Sequence, residues 1–139
     1  MIMRIKYLFF FIVFVGCQQA VSLADSTKIN GYWEIEKVIL PDGEKKEYKI
    51  NETNDFFNVK NNIGFRKKVT PQFDGKYLVN DQQEIIRLFK KKDAVFIEYS
   101  TLYAKWVEEI IVLTAEELVL KNGQNIEYHY KRPVNFSVK

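Results

Sequence analysis

The chain has 139 residues, with 21 Lys and Arg against 18 Asp and Glu, one cysteine and one histidine. That length suits one hydrophobic core rather than two, and the near balance of charge argues against nucleic acid as a partner. A lone cysteine excludes an internal disulfide, and beside a lone histidine it leaves no cofactor, transition-metal site or Cys-His nucleophile to expect.

Met1 to Lys6 is basic through Arg4 and Lys6, and Tyr7 to Val15 is an unbroken apolar run too short to cross a bilayer. Phe14-Val15-Gly16-Cys17 then resembles a lipobox, with Phe14 where leucine is commonest. Residues 1–16 therefore read as a lipoprotein signal peptide and Cys17 as the lipidated residue, with the bilayer as partner through its acyl chains. The alternative is an ordinary signal peptide cut after Ser22-Leu23-Ala24, with Cys17 discarded. Without Arg4 and Lys6 the 21 basic residues become 19 against 18 acidic ones, so the processed domain is nearly neutral. No acidic cluster follows Cys17, which places the expected anchor in a bacterial cell envelope, on the periplasmic face of the outer membrane. Residues 17–28 are polar and small and read as a flexible tether, leaving 29–139 as the folded domain, expected to be a monomer.

Period-two alternation then runs through almost the whole domain. Trp33, Ile35, Lys37 and Ile39 share the more apolar face of the first strand, which Pro41-Asp42-Gly43 ends. Phe56 to Val59 and Phe65 to Val69 pair through Asn61-Asn62, and Asp74-Gly75 marks the next hairpin. Asp81 to Lys92 has some helical spacing, but strand signals on both sides favour a strand. Ile85 to Phe89 and Ala94 to Thr101 flank Lys90-Lys91-Lys92-Asp93. Lys105 to Leu113, Leu118 to Leu120 and Ile126 to Arg132 complete the series. Short strands with short turns predict an all-β, up-and-down antiparallel β-barrel of eight to ten strands, following the signal peptide.

Ile126, Tyr128, Tyr130 and Arg132 form one face of the last strand, which puts an arginine at the end of an inward stripe. A buried guanidinium needs a partner, and the face of an inward tryptophan supplies one by cation–π stacking. Two separate alternation patterns thus bring Trp33 and Arg132 to the same side of the wall.

With Gly31-Tyr32-Trp33, Tyr99-Ser100-Thr101, Trp106, Glu117 to Leu120 and Tyr128 to Arg132 in place, the region from Gly31 to Pro133 resembles the small lipocalin-like domains of bacterial lipoproteins. The resemblance implies a barrel whose base is plugged by Trp33 and Arg132, and a small hydrophobic molecule bound in its mouth. The chain lacks the cysteine pair, long lid loop and C-terminal helix of larger lipocalins.

Inward candidates are Trp33, Phe56 or Phe57, Phe65, Phe73, Tyr99, Trp106, Tyr128 and Tyr130. So many rings can also fill the barrel as plain core, in which case it works through its outer surface as an envelope interaction, assembly or inhibitor module with no ligand. The candidate ligand contacts are Phe65, Lys67, Tyr99, Trp106 and Tyr128, with Lys67 as an inward cation; the competing reading of Arg66-Lys67-Lys68 is a solvated edge. Lys90 to Lys92 reads either as a solvated turn or as a contact to anionic headgroups. One of Glu108 and Glu109 faces inward, where Arg87 or Lys37 is a possible structural partner. No serine elbow, phosphate loop or metal-binding spacing appears, so binding is expected rather than catalysis.

Overall fold

Residue 12 and residues 20–134 are described in the computed structural model, so the rest of the leader, Cys17 and residues 135–139 lie outside it. A 3-10 helix, Leu23–Ile29, precedes nine strands: β1 Gly31–Ile39, β2 Lys45–Glu47, β3 Asn54–Lys60, β4 Ile63–Pro71, β5 Tyr77–Lys91, β6 Ala94–Ser100, β7 Lys105–Leu113, β8 Glu117–Lys121 and β9 Glu127–Lys131. The strands form one antiparallel sheet in the order β2-β1-β3-β4-β5-β6-β7-β8-β9, and β1 also pairs with β9. Eight strands thereby close into a barrel, and β2 is an exposed strip alongside Lys37 to Ile39. The stretch with partial helical spacing lies within β5 up to Lys91 and alternates as a strand, with Ile86 and Leu88 buried and Arg87 exposed.

Up-and-down order sorts the turns between two ends. The base carries the turns at Asn61-Asn62, Lys92-Asp93 and Thr114 to Glu116; the mouth carries the loops at Leu40 to Thr53, Gln72 to Lys76, Thr101 to Ala104 and Asn122 to Ile126. Asn61 and Asn62 have φ of 53° and 65°, the mirror-turn conformation that matches strand twist. This turn sets Lys60 opposite Ile63, and by the same register Phe57 opposite Arg66.

Three sequence expectations change here. The segment read as a tether is already folded from Val21, because Val21 and Leu23 pack against the core and Ile29 is fully buried within it. Strand β1 shifts register between Ile35 and Lys37, so Trp33, Ile35 and Val38 face inward while Lys37 and Ile39 turn outward. Phe56 faces outward and Phe57 inward, whereas Phe73 stands fully exposed at the tip of the β4–β5 hairpin.

The lower half of the barrel is apolar. Ile29, Trp33, Val59, Leu88, Val95, Ile97, Ile110, Leu113, Leu118 and Leu120 belong to one buried cluster. Removing such side chains from water is the main stabilising contribution available to a domain without a disulfide.

Candidate functional site

The base is closed by two residues that are 99 positions apart in sequence. Trp33 is fully buried, and its indole N–H donates to the Ile29 carbonyl at 2.7 Å. The Arg132 guanidinium lies 3.7 Å from the centre of the Trp33 ring. Its nitrogens donate to the carbonyls of Ala115 at 2.9 Å, Tyr32 at 3.1 Å and Lys28 at 2.9 Å. These bonds tie the β7–β8 turn, β1 and the 3-10 helix to one cation; partial burial pulls its pKa down from the usual value. Gly31 completes the plug. Its φ is +106°, and a Cβ there would stand 3.1 Å from Arg132 Nη1.

Toward the mouth the interior becomes polar. Arg66 follows Phe57 in register and points inward, where it pairs with Glu84 of β5. Its guanidinium also stacks 4.3 Å above the ring of Tyr99, and that ring stacks on Trp106 at 5.2 Å. Burial works against the Arg66 charge, but Tyr99, Glu84 and Asp55 outweigh it and hold the pKa above its ordinary value. Asp55 is buried and meets Lys68 Nζ at 2.8 Å.

Glu108 and Tyr99 complete this layer. The Tyr99 hydroxyl faces the Glu108 carboxyl without the geometry of a hydrogen bond. Burial raises the pKa of Glu108 above 4.5, and the Arg66 guanidinium opposes that rise only in part. Burial likewise raises Tyr99, and Tyr130, which senses the charges of Asp55 and Arg66. Charges buried this way need partners. The layer therefore holds two ion pairs, Arg66 with Glu84 and Lys68 with Asp55, and a carboxyl whose pKa burial holds above the ordinary value.

A cavity of about 530 Å³ opens above Arg66 and Glu84, walled by Lys68, Asn80, Gln82, Gln83 and the loop residues Thr101, Leu102 and Tyr103. Leu102 and Tyr103 are almost fully exposed, giving it one apolar lip. None of the five ligand contacts expected from sequence lines this cavity. Tyr99 and Trp106 lie beneath Arg66, and Tyr128 is inward on β9, where Asn122 donates to its hydroxyl at 3.4 Å. Phe65 and Lys67 point outward, opposite Asn58 and Phe56, with Lys67 resting 5.4 Å from the Phe65 ring. The inward cation of that run is Arg66, one residue away. Arg87 is also outward and pairs with Glu98 at 3.4 Å, so the partner of inward Glu108 is neither Arg87 nor Lys37.

A second groove, of about 670 Å³, lies outside the barrel between the β4–β5 hairpin and Pro133, with Glu34, Asn51 and Tyr77 in its walls. Among the described residues, no group of three His, Cys, Asp or Glu side chains is placed to hold a metal ion. No helix among them is long and apolar enough to cross a membrane.

Residues 29–120, most of the barrel just described, match the lipocalin-like domain family. The chain belongs to that family. This lipocalin-like barrel is similar to the solved structure of a lipocalin-like protein from Bacteroides uniformis, with 11% identity, 76% of this chain and 99% of that chain covered, and a TM-score of 0.48. An uncharacterized protein from Bacteroides eggerthii aligns at 13% identity over 75% of this chain and 98% of that one, with a TM-score of 0.46. Apocrustacyanin C1 aligns at 11% identity over 84% of this chain and 67% of its own length, with a TM-score of 0.47. Among curated proteins no match is found.

Proposed function

We propose that this lipocalin-like protein is a membrane-anchored lipoprotein that binds a small, mainly hydrophobic molecule at its barrel mouth and performs no catalysis. The observation that carries the reading is the mouth cavity of about 530 Å³, apolar at Leu102 and Tyr103 and floored by the Arg66–Glu84 ion pair. Its size suits a small ligand, and its lining offers an apolar wall with a few convergent polar groups. The ligand's apolar body lies against the Thr101 to Ala104 loop, and a polar group meets Arg66 and Glu84. The interior beneath Arg66 is occupied by Tyr99, Trp106 and Phe57, which favours binding at the rim over deep insertion.

Anchoring through Cys17 rests on the leader pattern, and so does the assignment to the periplasmic face of a bacterial outer membrane. That same packed interior also favours a second reading, a filled barrel acting through its outer surface in the cell envelope. The two readings separate in one experiment. Protein expressed from Ala20, which keeps the 3-10 helix, is examined by native mass spectrometry for a co-purifying lipid and titrated with apolar fluorescent probes. Ligand binding predicts a bound lipid or probe, weakened about tenfold by Leu102→Ala with Tyr103→Ala. A folded barrel with neither would leave the filled-barrel reading. Independently, Cys17→Ser is expected to release the full-length protein from membranes, and continued fractionation with membranes would count against lipidation.

A further inference from the structure

The base, where the described chain enters the barrel, has an uneven charge. The 3-10 helix packs there against β3, β5 and β7, and the half-buried Val21 and Leu23 pack against the core. Ala20 is therefore at the base rim, within about 10 Å of Cys17 even for a fully extended chain. On one side of the base, the ends of β3 and β5 and the turn after β5 carry Lys60, Lys90, Lys91 and Lys92, all exposed, with Asp93 among them. On the other side the β7–β8 turn and the start of β8 carry Glu116 and Glu117, both exposed.

Above the basic side the outer wall is apolar. Ile63 is 58% exposed, Phe89 stacks on Phe96 with ring centres 5.6 Å apart, and Arg87 lies over Phe89 at 4.7 Å. Register places Arg87, paired with Glu98, beside Ile63 and sets Glu109 opposite Phe96, so apolar groups and paired charges lie above the exposed lysines of one continuous corner. A corner made only for water has no need of half-buried rings and a largely exposed isoleucine among its lysines. An interfacial surface needs both, since apolar groups enter the headgroup boundary while lysines meet its negative charge.

We propose that this corner rests on an anionic phospholipid bilayer and holds the barrel base-down, with its mouth turned away from the lipid. The inference deepens the anchored reading and takes only the nearness of the membrane from it; the chemistry of the corner stands by itself. Chain entry at the base favours lipid over an acidic protein as the occupant. An anchor attached there brings a bilayer to this corner before anything else.

The full-length protein is reconstituted on vesicles of phosphatidylcholine, with or without phosphatidylglycerol, that carry a headgroup-attached quencher. A fluorophore is placed at the base through Asn62→Cys or at the mouth through Gln124→Cys. Quenching is expected to be strong at the base and weak at the mouth when phosphatidylglycerol is present, and to fade at high salt. Each lysine near the surface contributes roughly fivefold to partition, so neutralising Lys90, Lys91 and Lys92 to Gln should weaken the contact about a hundredfold. Circular dichroism of that variant checks that the barrel is intact. Equal quenching at both ends, or base quenching indifferent to phosphatidylglycerol and to the lysines, would overturn the proposal.

The mass of the N-terminal peptide keeps the two readings apart. Protein without acyl chains that still binds phosphatidylglycerol vesicles by its base supports the corner and rejects the anchor. Acylated protein with no base contact does the reverse.

Discussion

Arg132 commits all three guanidinium nitrogens to backbone carbonyls while its face covers Trp33. Losing either residue opens the base and leaves the mouth untouched. Trp33→Ala should cost about 3–5 kcal/mol in denaturant unfolding. Arg132→Ala should cost about 1–3 kcal/mol, since the freed carbonyls are partly open to water. Probe binding per folded molecule should survive both changes; its loss in a fully folded variant would mean that the functional end has been misassigned. Glu108 makes a separate prediction. Its folded pKa is raised above 4.5, so the folded state holds the proton more tightly than the unfolded chain does. Stability therefore falls as pH climbs from about 4.5 through the folded value, then levels off. Glu108→Gln should flatten that decline and raise the urea midpoint above the window. Equal pH dependence in the two proteins would show that Glu108 is not the group responsible.

Strands were the legible part of this sequence, and bulges were the illegible part. Alternation identifies β1, β7 and β9 because apolar and polar residues largely take turns along each. It also brings Trp33 and Arg132 to one side of the wall, as the structure has them. A bulge removes one step from that count without changing composition, so Lys37 reads as inward in the sequence and lies outward in the barrel. The inward cation is subject to a similar one-residue ambiguity. Phe56-Phe57 offers two adjacent rings, and the Asn61-Asn62 turn fixes only that Phe57 and Arg66 share a face. With Phe65 inward the alternation makes Lys67 the inward cation, whereas the register turns Arg66 toward Glu84. Gly64 was the available clue, because glycine inside a strand signals close approach of backbone. A Cβ there would fall 1.7 Å from the Asn58 carbonyl oxygen, and no side-chain rotation relieves a clash with backbone. Gly64→Ala should thus cost about 3 kcal/mol or more in thermal or urea unfolding. A near-neutral result would mean that β3 and β4 are less tightly apposed at this point.

Viewed whole, the barrel is dry at its base and charged near its mouth, and the charged layer is not the most stable way to fill that space. Buried ion pairs recover little of what desolvation takes, and well-packed apolar residues often serve stability as well or better. The Arg66–Glu84 pair therefore tests what the upper layer is for. Arg66→Met alone strands Glu84 beside a neutral side chain, leaves Asp55 with Lys68 only, and should cost about 2–4 kcal/mol. Adding Glu84→Leu removes the nearest stranded charge and should restore most of that stability, possible because register keeps the two side chains adjacent on the inner face. If the layer exists to meet the polar group of a ligand, the stable double variant should lose affinity for an amphipathic probe about tenfold or more while keeping that for a purely apolar one. Titrating both probes against wild type and the double variant reads the two effects separately. Unchanged amphipathic binding would assign the pair to the architecture of the barrel and leave recognition to the Leu102-Tyr103 lip.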